Sequence, residues 1–229
     1  MVFKLENIVP WGRSFDEYKK MFSLKEEDLQ LSILDCGGGP SSFNAEATRF
    51  GHKVISCDPI YQFTTEEIES RIAEITPIMV KGLKANYKRF VWRNFKTPEE
   101  LKETRLSAMK LFLADFDLGL KQKRYLVREL PNLNFGFKQF NLALCSHLLF
   151  TYTEQLSYEF HLQAIKEMCR VAREVRIFPL LENFTGDVSC HLEPVREQLE
   201  KNNYQVKIIS VDYEFQKNGA RMLVINRDN

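Results

Sequence analysis

Two clusters of residues in this chain have the types and spacing to do chemistry. The first is ILDCGGGPSSF, Ile33 to Phe43, in which an apolar run ends at Asp35 and Cys36 and three glycines follow, Gly37, Gly38 and Gly39. Glycine at this point lets a chain leaving a strand turn tightly and lay its backbone against a ligand. The helix expected to open near Ser41 and Ser42 would offer free amide donors to a negative group. Roughly twenty residues on, Asp58 ends a second apolar run just before Pro59, where a carboxylate can accept both hydroxyls of a ribose. A glycine cluster alone marks any tight turn. A strand before it, a helix after it and an acid at that distance together describe a nucleotide-type site. Asp35 is expected to organise the turn by accepting amide bonds.

The second cluster follows FNLALCS, Phe140 to Ser146. Cys145 and Ser146 end an apolar run, and His147 and Tyr152 come just after it, where the nucleophile of a substrate would lie. His147 is a candidate general base, although a lone histidine is also a common structural residue. Arg13 could pair with a ligand carboxylate in a bidentate way, or stand on the surface. Lys84, Lys88, Arg89, Arg93 and Lys96 interleave with Tyr87, Phe90 and Trp92, a pattern that could grip an anionic substrate or RNA, or form a solvated helix with a partly buried aromatic side.

The elements that must position these residues can be read from periodicity. Strands are expected at Leu31–Cys36, His52–Cys57, Arg124–Leu130, Phe140–Ser146 and Glu174–Leu180. YQVKIISVDYEF and ARMLVIN flank Gln216-Lys217-Asn218-Gly219, in which Asn-Gly between two alternating runs is a hairpin signal. Helices are expected after Ser14, at a Ser23–Glu26 capping box, over Asn44–Phe50, after Thr65, after Thr97-Pro98, over Glu154–Arg173 and over Leu192–Asn202. Strand, glycine turn, helix, strand is the opening of a parallel α/β sheet. From Tyr61 to Lys123 there is only helical pattern, although a crossover needs only a dozen or so residues. This is an all-helical insertion in one domain spanning 1–229. Leu101, Ala108, Met109, Phe112, Leu113 and Phe116 give its second helix a face to bury. Leaving the core beside Asp58, the insertion is expected to cover a substrate; a dimer interface is the other reading.

A nicotinamide-dinucleotide fingerprint counted from Gly37 would need a third glycine at Ser42, and the antiparallel end of the chain also argues against it. Asp35-x-Gly37-x-Gly39 instead resembles the first motif of class I S-adenosylmethionine-dependent methyltransferases, with Asp58 matching their ribose-binding acid. WGRSFDEY, DCGGGPSSFNAE and CSHLLFTY resemble, more narrowly, uncharacterised bacterial proteins known only as methyltransferases. The resemblance covers about Ser32–Cys57 and Arg124–Asn226. It implies a Rossmann-like α/β fold, a seven-stranded, mostly parallel sheet in the order 3-2-1-4-5-7-6 whose last strand is antiparallel. It also implies S-adenosylmethionine as cofactor, held by Asp35, Cys36, Gly37, Gly38, Gly39, Ser41, Asp58, Pro59, Glu129, Leu130, Cys145 and Ser146, with Arg13 on the methionine carboxylate and Glu129 near the adenine. The family's third glycine is Ser41 here, its fourth-strand acid is Asn141, and no N-P-P-Y or D-P-P-Y run is present. The last point disfavours nucleobase amino-methylation.

Composition sets outer limits. Hydrophobic residues make up 44% and charged residues 28%, so a sizeable core can form, and a formal net charge of +1 gives no reason to expect a nucleic-acid partner. Five cysteines without Cys-x-x-Cys spacing suggest reduced thiols, and the four histidines lack metal-site spacing. With no leader or membrane-length run in the sequence, a cytoplasmic methyltransferase of a small-molecule substrate is expected, with a homodimer open. The alternative is a non-catalytic binder of S-adenosylmethionine or S-adenosylhomocysteine, or a scaffold. A pocket beside Ser146 and His147 would separate the two.

Overall fold

The computed structural model describes residues 8–227, so the first seven residues of the opening stretch read for a leader lie outside the described residues. Strands β1 (Ser32–Cys36), β2 (Lys53–Cys57), β3 (Tyr125–Leu126), β4 (Phe140–Ser146), β5 (Ala172–Phe178), β6 (Gln205–Ser210) and β7 (Arg221–Asn226) form one sheet. Its order is β3-β2-β1-β4-β5-β7-β6. The first five strands are parallel, and β7 runs antiparallel to both β5 and β6. This is the Rossmann-like order expected from the sequence. β1 and β4 at the centre are buried on both faces, as their unbroken apolar runs require.

Helices α1 (Phe15–Met21), α2 (Glu26–Leu29) and α3 (Phe43–Arg49) pack their apolar residues on one face of the sheet. α6 (Tyr158–Val171) and α7 (Leu192–Lys201) cover the other. Between β2 and β3 lie α4 (Thr65–Ala85) and α5 (Pro98–Lys121). α5 begins as its sequence dictates, with the Thr97 side chain accepting from the Glu100 amide and Pro98 in the first turn. Its stripe of Leu101, Ala108, Met109, Phe112 and Phe116 is buried. α5 packs on α3, α4 and β3, and its aromatic rings join Tyr61 and Tyr125 in a third core cluster.

Several boundaries differ from expectation. Arg124–Leu130 forms only a two-residue strand, because β2 ends at Cys57 and offers pairing only at Ser56 and Cys57. Beyond it the chain turns back, Glu129 bridging to Asn132 across Pro131. The Ser23 capping box is not formed: Ser23 has φ 46°, and Asp28 accepts from the Lys25 amide instead, at 3.0 Å. The α4 cap is Thr64, with Glu67 completing its box. α6 starts at Tyr158, capped by Ser157, and residues 151–156 form turns. Asn218-Gly219 does not close a tight hairpin. β6 and β7 are joined by residues 211–220, and Asn218, at φ 67°, sits in a local turn within that connection.

Candidate functional site

At the carboxyl ends of β1, β2 and β4 a cavity of about 450 Å³ opens. This is the edge where open α/β sheets bind ligands. Its floor is the glycine turn. Gly37 and Gly39 have φ 67° and 53°, values that other residues rarely adopt. The Gly37 amide donates to the Cys57 carbonyl at 2.8 Å, and the Gly39 amide donates to Asp58 Oδ2 at 2.9 Å. Asp58 Oδ1 accepts from the Ile60 amide at 2.8 Å, so the carboxylate is fixed by both flanking loops. Burial, with a contribution from the Glu129 charge, raises its pKa to about 6 against those two amide bonds. A Cβ on Gly39 would meet nothing but Asp58 Oδ2, at 3.9 Å, so the glycine leaves open space beside the acid. Both carboxylate oxygens keep lone pairs for a ligand's hydroxyls.

Asp35 has a different task from the one its position suggests. It lies beneath the turn, fully buried, accepting from Tyr18 Oη at 3.1 Å and Ser56 Oγ at 2.9 Å rather than from turn amides. Burial pushes its pKa to about 7. The amides near Ser41 and Ser42 are not free either. The Ser42 N–H donates to the Arg13 carbonyl at 3.0 Å, and the Phe43 N–H to Ser41 Oγ at 3.2 Å. A pyrophosphate would find neither amide available. Asn141 stands at the far end of β4, tying it to Ser32 at 2.8 Å, away from the cavity edge.

Of the residues read as cofactor-binding, Arg13, Gly37, Gly38, Gly39, Ser41, Asp58, Pro59, Glu129, Leu130 and Ser146 line this one cavity. Asp35, Cys36 and Cys145 do not; the two thiols lie wholly within the sheet core. His147 and Tyr152 line it as well. His147 has φ 53° and its Nδ1 lies 2.9 Å from Ser146 Oγ. Burial, reinforced by the charges of Arg13 and Arg105, holds its pKa well below the ordinary range, so the imidazole is neutral at pH 7. Tyr152 Oη accepts from the Val9 amide at 3.1 Å, and its ring belongs to the cluster under the insertion. Part of the basic stretch is engaged within the fold. Lys84 pairs with Glu99 at 2.6 Å, Arg89 donates to the Thr185 carbonyl, and Phe90 stacks on Phe215 at 4.7 Å.

The sequence reading missed a buried polar node. Arg105 of α5 forms an ion pair with Glu17 of α1, and Tyr213 donates to Glu17 Oε1 at 2.7 Å. Burial alone would raise the Glu17 pKa, yet Arg105 holds it at about 2. Arg105 is 1% exposed and lines the cavity with Arg13. A signal existed: Arg105 lies between Leu101 and Met109 on the stripe of α5, where a cation is out of place unless it has a partner. Among the described residues no group of three or more His, Cys, Asp or Glu side chains could hold a metal ion, and no helix is long and apolar enough to cross a membrane.

A Rossmann-like sheet in this order, with a glycine turn and a strand-end acid at one cavity, defines the class of the protein. The chain is 38% identical over 224 residues to the uncharacterised protein MJ0045 of Methanocaldococcus jannaschii, covering 97% of this chain and 98% of that protein, and it belongs to the same family. No family model matches the chain. Among solved structures it is similar to the mitomycin 7-O-methyltransferase MmcR, with TM-score 0.49 and 11% identity over 93% of this chain and 54% of that one. It is also similar to a SAM-dependent methyltransferase from Aquifex aeolicus, with TM-score 0.44 and 16% identity over 91% and 90% of the two chains.

Proposed function

We propose that the protein binds S-adenosylmethionine and transfers its methyl group to a small molecule. The observation that supports this most is the continuity of one cavity from Gly39 and Asp58 to Ser146 and His147. The same continuity favours an enzyme over a passive binder of the cofactor. In this reading Asp58 accepts from the ribose hydroxyls, Glu129 and Leu130 flank the adenine, and the turn lets the backbone approach. The bound cofactor supplies an electrophilic methyl on a good leaving group, so the protein's main tasks are alignment and exclusion of water. α4 and α5 roof the site and perform the second task. His147 is neutral, and when its Nδ1–H donates to Ser146 Oγ, Nε2 is left as the acceptor that a general base needs.

Calorimetry with S-adenosylhomocysteine tests the reading. Wild-type chain should bind it, and Asp58→Ala should weaken binding by about 1–3 kcal/mol through loss of hydrogen bonds to a charged acceptor. No binding by the folded wild type would end the proposal.

A further inference from the structure

We infer that the methyl acceptor carries a carboxylate, seated at the Arg13–Arg105 pair, on an apolar body enclosed by the helical insertion; this rests on the cofactor reading above. The cavity wall holds four arginines, Arg13, Arg71, Arg105 and Arg128, against the acids Asp58 and Glu129. Two of the four are engaged elsewhere: Arg71 lies over the Phe63 ring at 4.5 Å, and Arg128 donates to the carbonyls of Leu133 and Asn134. At the other two, one anion faces two cations. Glu17 pairs with Arg105, while Arg13 reaches only the Trp11 carbonyl among the described residues. Crowding by burial and by Arg105 lowers the Arg13 pKa to about 10, the sign expected of a cation short of a counter-charge.

Hydrogen-bond capacity points the same way. Arg13 Nε, Arg105 Nε and Thr151 Oγ1 are buried without a partner, and all three residues line the cavity. Buried polar atoms left unpaired are costly and rare. A carboxylate could satisfy donors of both guanidinium groups at once.

The cofactor's own carboxylate can meet one arginine, but the cofactor as a whole brings no net negative charge: its amino-acid end is a zwitterion and its sulfonium is a cation. Beyond burial, the charges of Arg13 and Arg105 also reach His147, both lowering its pKa. Tyr213, bonded to Glu17, packs edge-on against Phe178 at 5.8 Å, and Phe178 packs edge-on against His147 at 5.6 Å. Around this point the wall is apolar, formed by Met79, Leu83, Phe90, Leu101, Phe184 and Phe215. Such a chamber takes an aliphatic or aromatic body of modest size.

The test uses the full chain loaded with S-adenosylhomocysteine and thermal melts with benzoate, phenylacetate and indole-3-acetate, each beside its neutral amide. Binding to the native state raises the melting temperature. At least one acid should do so where its amide does not. Arg13→Gln should weaken that acid by about tenfold or more, with Arg13→Lys recovering part of the loss, while the affinity for S-adenosylhomocysteine stays within about twofold of wild type. Amides binding as well as acids, or no acid binding, overturns the inference and leaves the cofactor reading standing. So does an Arg13→Gln variant that loses S-adenosylhomocysteine but keeps the acid, since Arg13 then serves the cofactor's carboxylate. Failure of the wild-type chain to bind S-adenosylhomocysteine removes the cofactor reading and this inference together.

Discussion

At the Gly37–Gly39 turn the ligand wall is mostly backbone, and its key contact joins Gly39 to Asp58 across 19 positions of sequence. At the Arg13–Arg105 end the wall is side chains drawn from remote segments: Arg105 meets Glu17 across 88 positions, and Tyr213 meets Glu17 across 196. The first wall can form from one strand–turn–helix–strand unit. The second exists only when α1, α5 and the connection from β6 to β7 have all docked. Two walls built so differently, one locally and one by assembly, can change independently, so the turn can be retained while the other end differs.

The comparison is broken most severely at Glu17. Glu17→Gln keeps the shape and can still serve the α1 cap, but it leaves Arg105 as a buried cation without a counter-charge. Urea unfolding should show a loss of about 3–5 kcal/mol. S-adenosylhomocysteine affinity in the folded fraction should change little, because the turn does not use Glu17. A loss under about 1 kcal/mol would mean that the node does not hold the insertion in place.

The glycine-turn end has its own buried charge, and pH exposes it. The Asp35 pKa is raised by burial from 3.8 to about 7, so the folded protein holds this proton more tightly than the unfolded chain. Its contribution to stability is therefore complete below pH ~4 and is lost as pH rises through about 7, a change on the order of 3–4 kcal/mol. Asp58, at about 6 by the same cause, adds a smaller loss of the same sign. Between pH 4 and 8 the unfolding free energy of wild type should decline relative to that of Asp35→Asn as pH rises, the buried neutral His147 working in the opposite sense in both proteins. An equal slope in the two proteins would show that Asp35 is ionised throughout.

What could be read in the sequence follows the same division. Gly37, Gly39 and Asp58 were legible because a turn with positive φ and a strand-end acid are local requirements, met by residue type. The sheet order came through the resemblance those residues carry, and the paired apolar runs agree with it. Arg124–Leu130 misled because a run of strand-forming residues says nothing about where its neighbour ends, and β2 stops at Cys57. The alternating stretch after Ser210 misled because Tyr213 and Phe215 leave the ladder for remote partners, Glu17 and Phe90. Arg105 was legible only in part: its place on the apolar stripe says that a partner is needed, but the partner lies on another helix and no spacing names it.

The smallest expected effect separates the local from the assembled part of one side chain. Glu17 Oε2 accepts from the Ser14 amide at 3.1 Å, closing the capping box of α1, and the same carboxylate pairs with Arg105. Ser14→Ala removes the hydroxyl that accepts from the Glu17 amide at 3.3 Å but leaves the carboxylate and its ion pair in place. Loss of such a cap costs about 1 kcal/mol. If α1 is held mainly by its own cap, Ser14→Ala should approach Glu17→Gln in cost. If the ion pair dominates, Ser14→Ala should cost about a quarter as much. The double variant should then show little coupling, since the carboxamide left by Glu17→Gln can still accept from the Ser14 amide. The predicted outcome is the second, with Ser14→Ala near 1 kcal/mol by urea unfolding. A Ser14→Ala loss equal to that of Glu17→Gln would make the Glu17 effect a helix-capping effect, and the node would no longer account for the docking of α5.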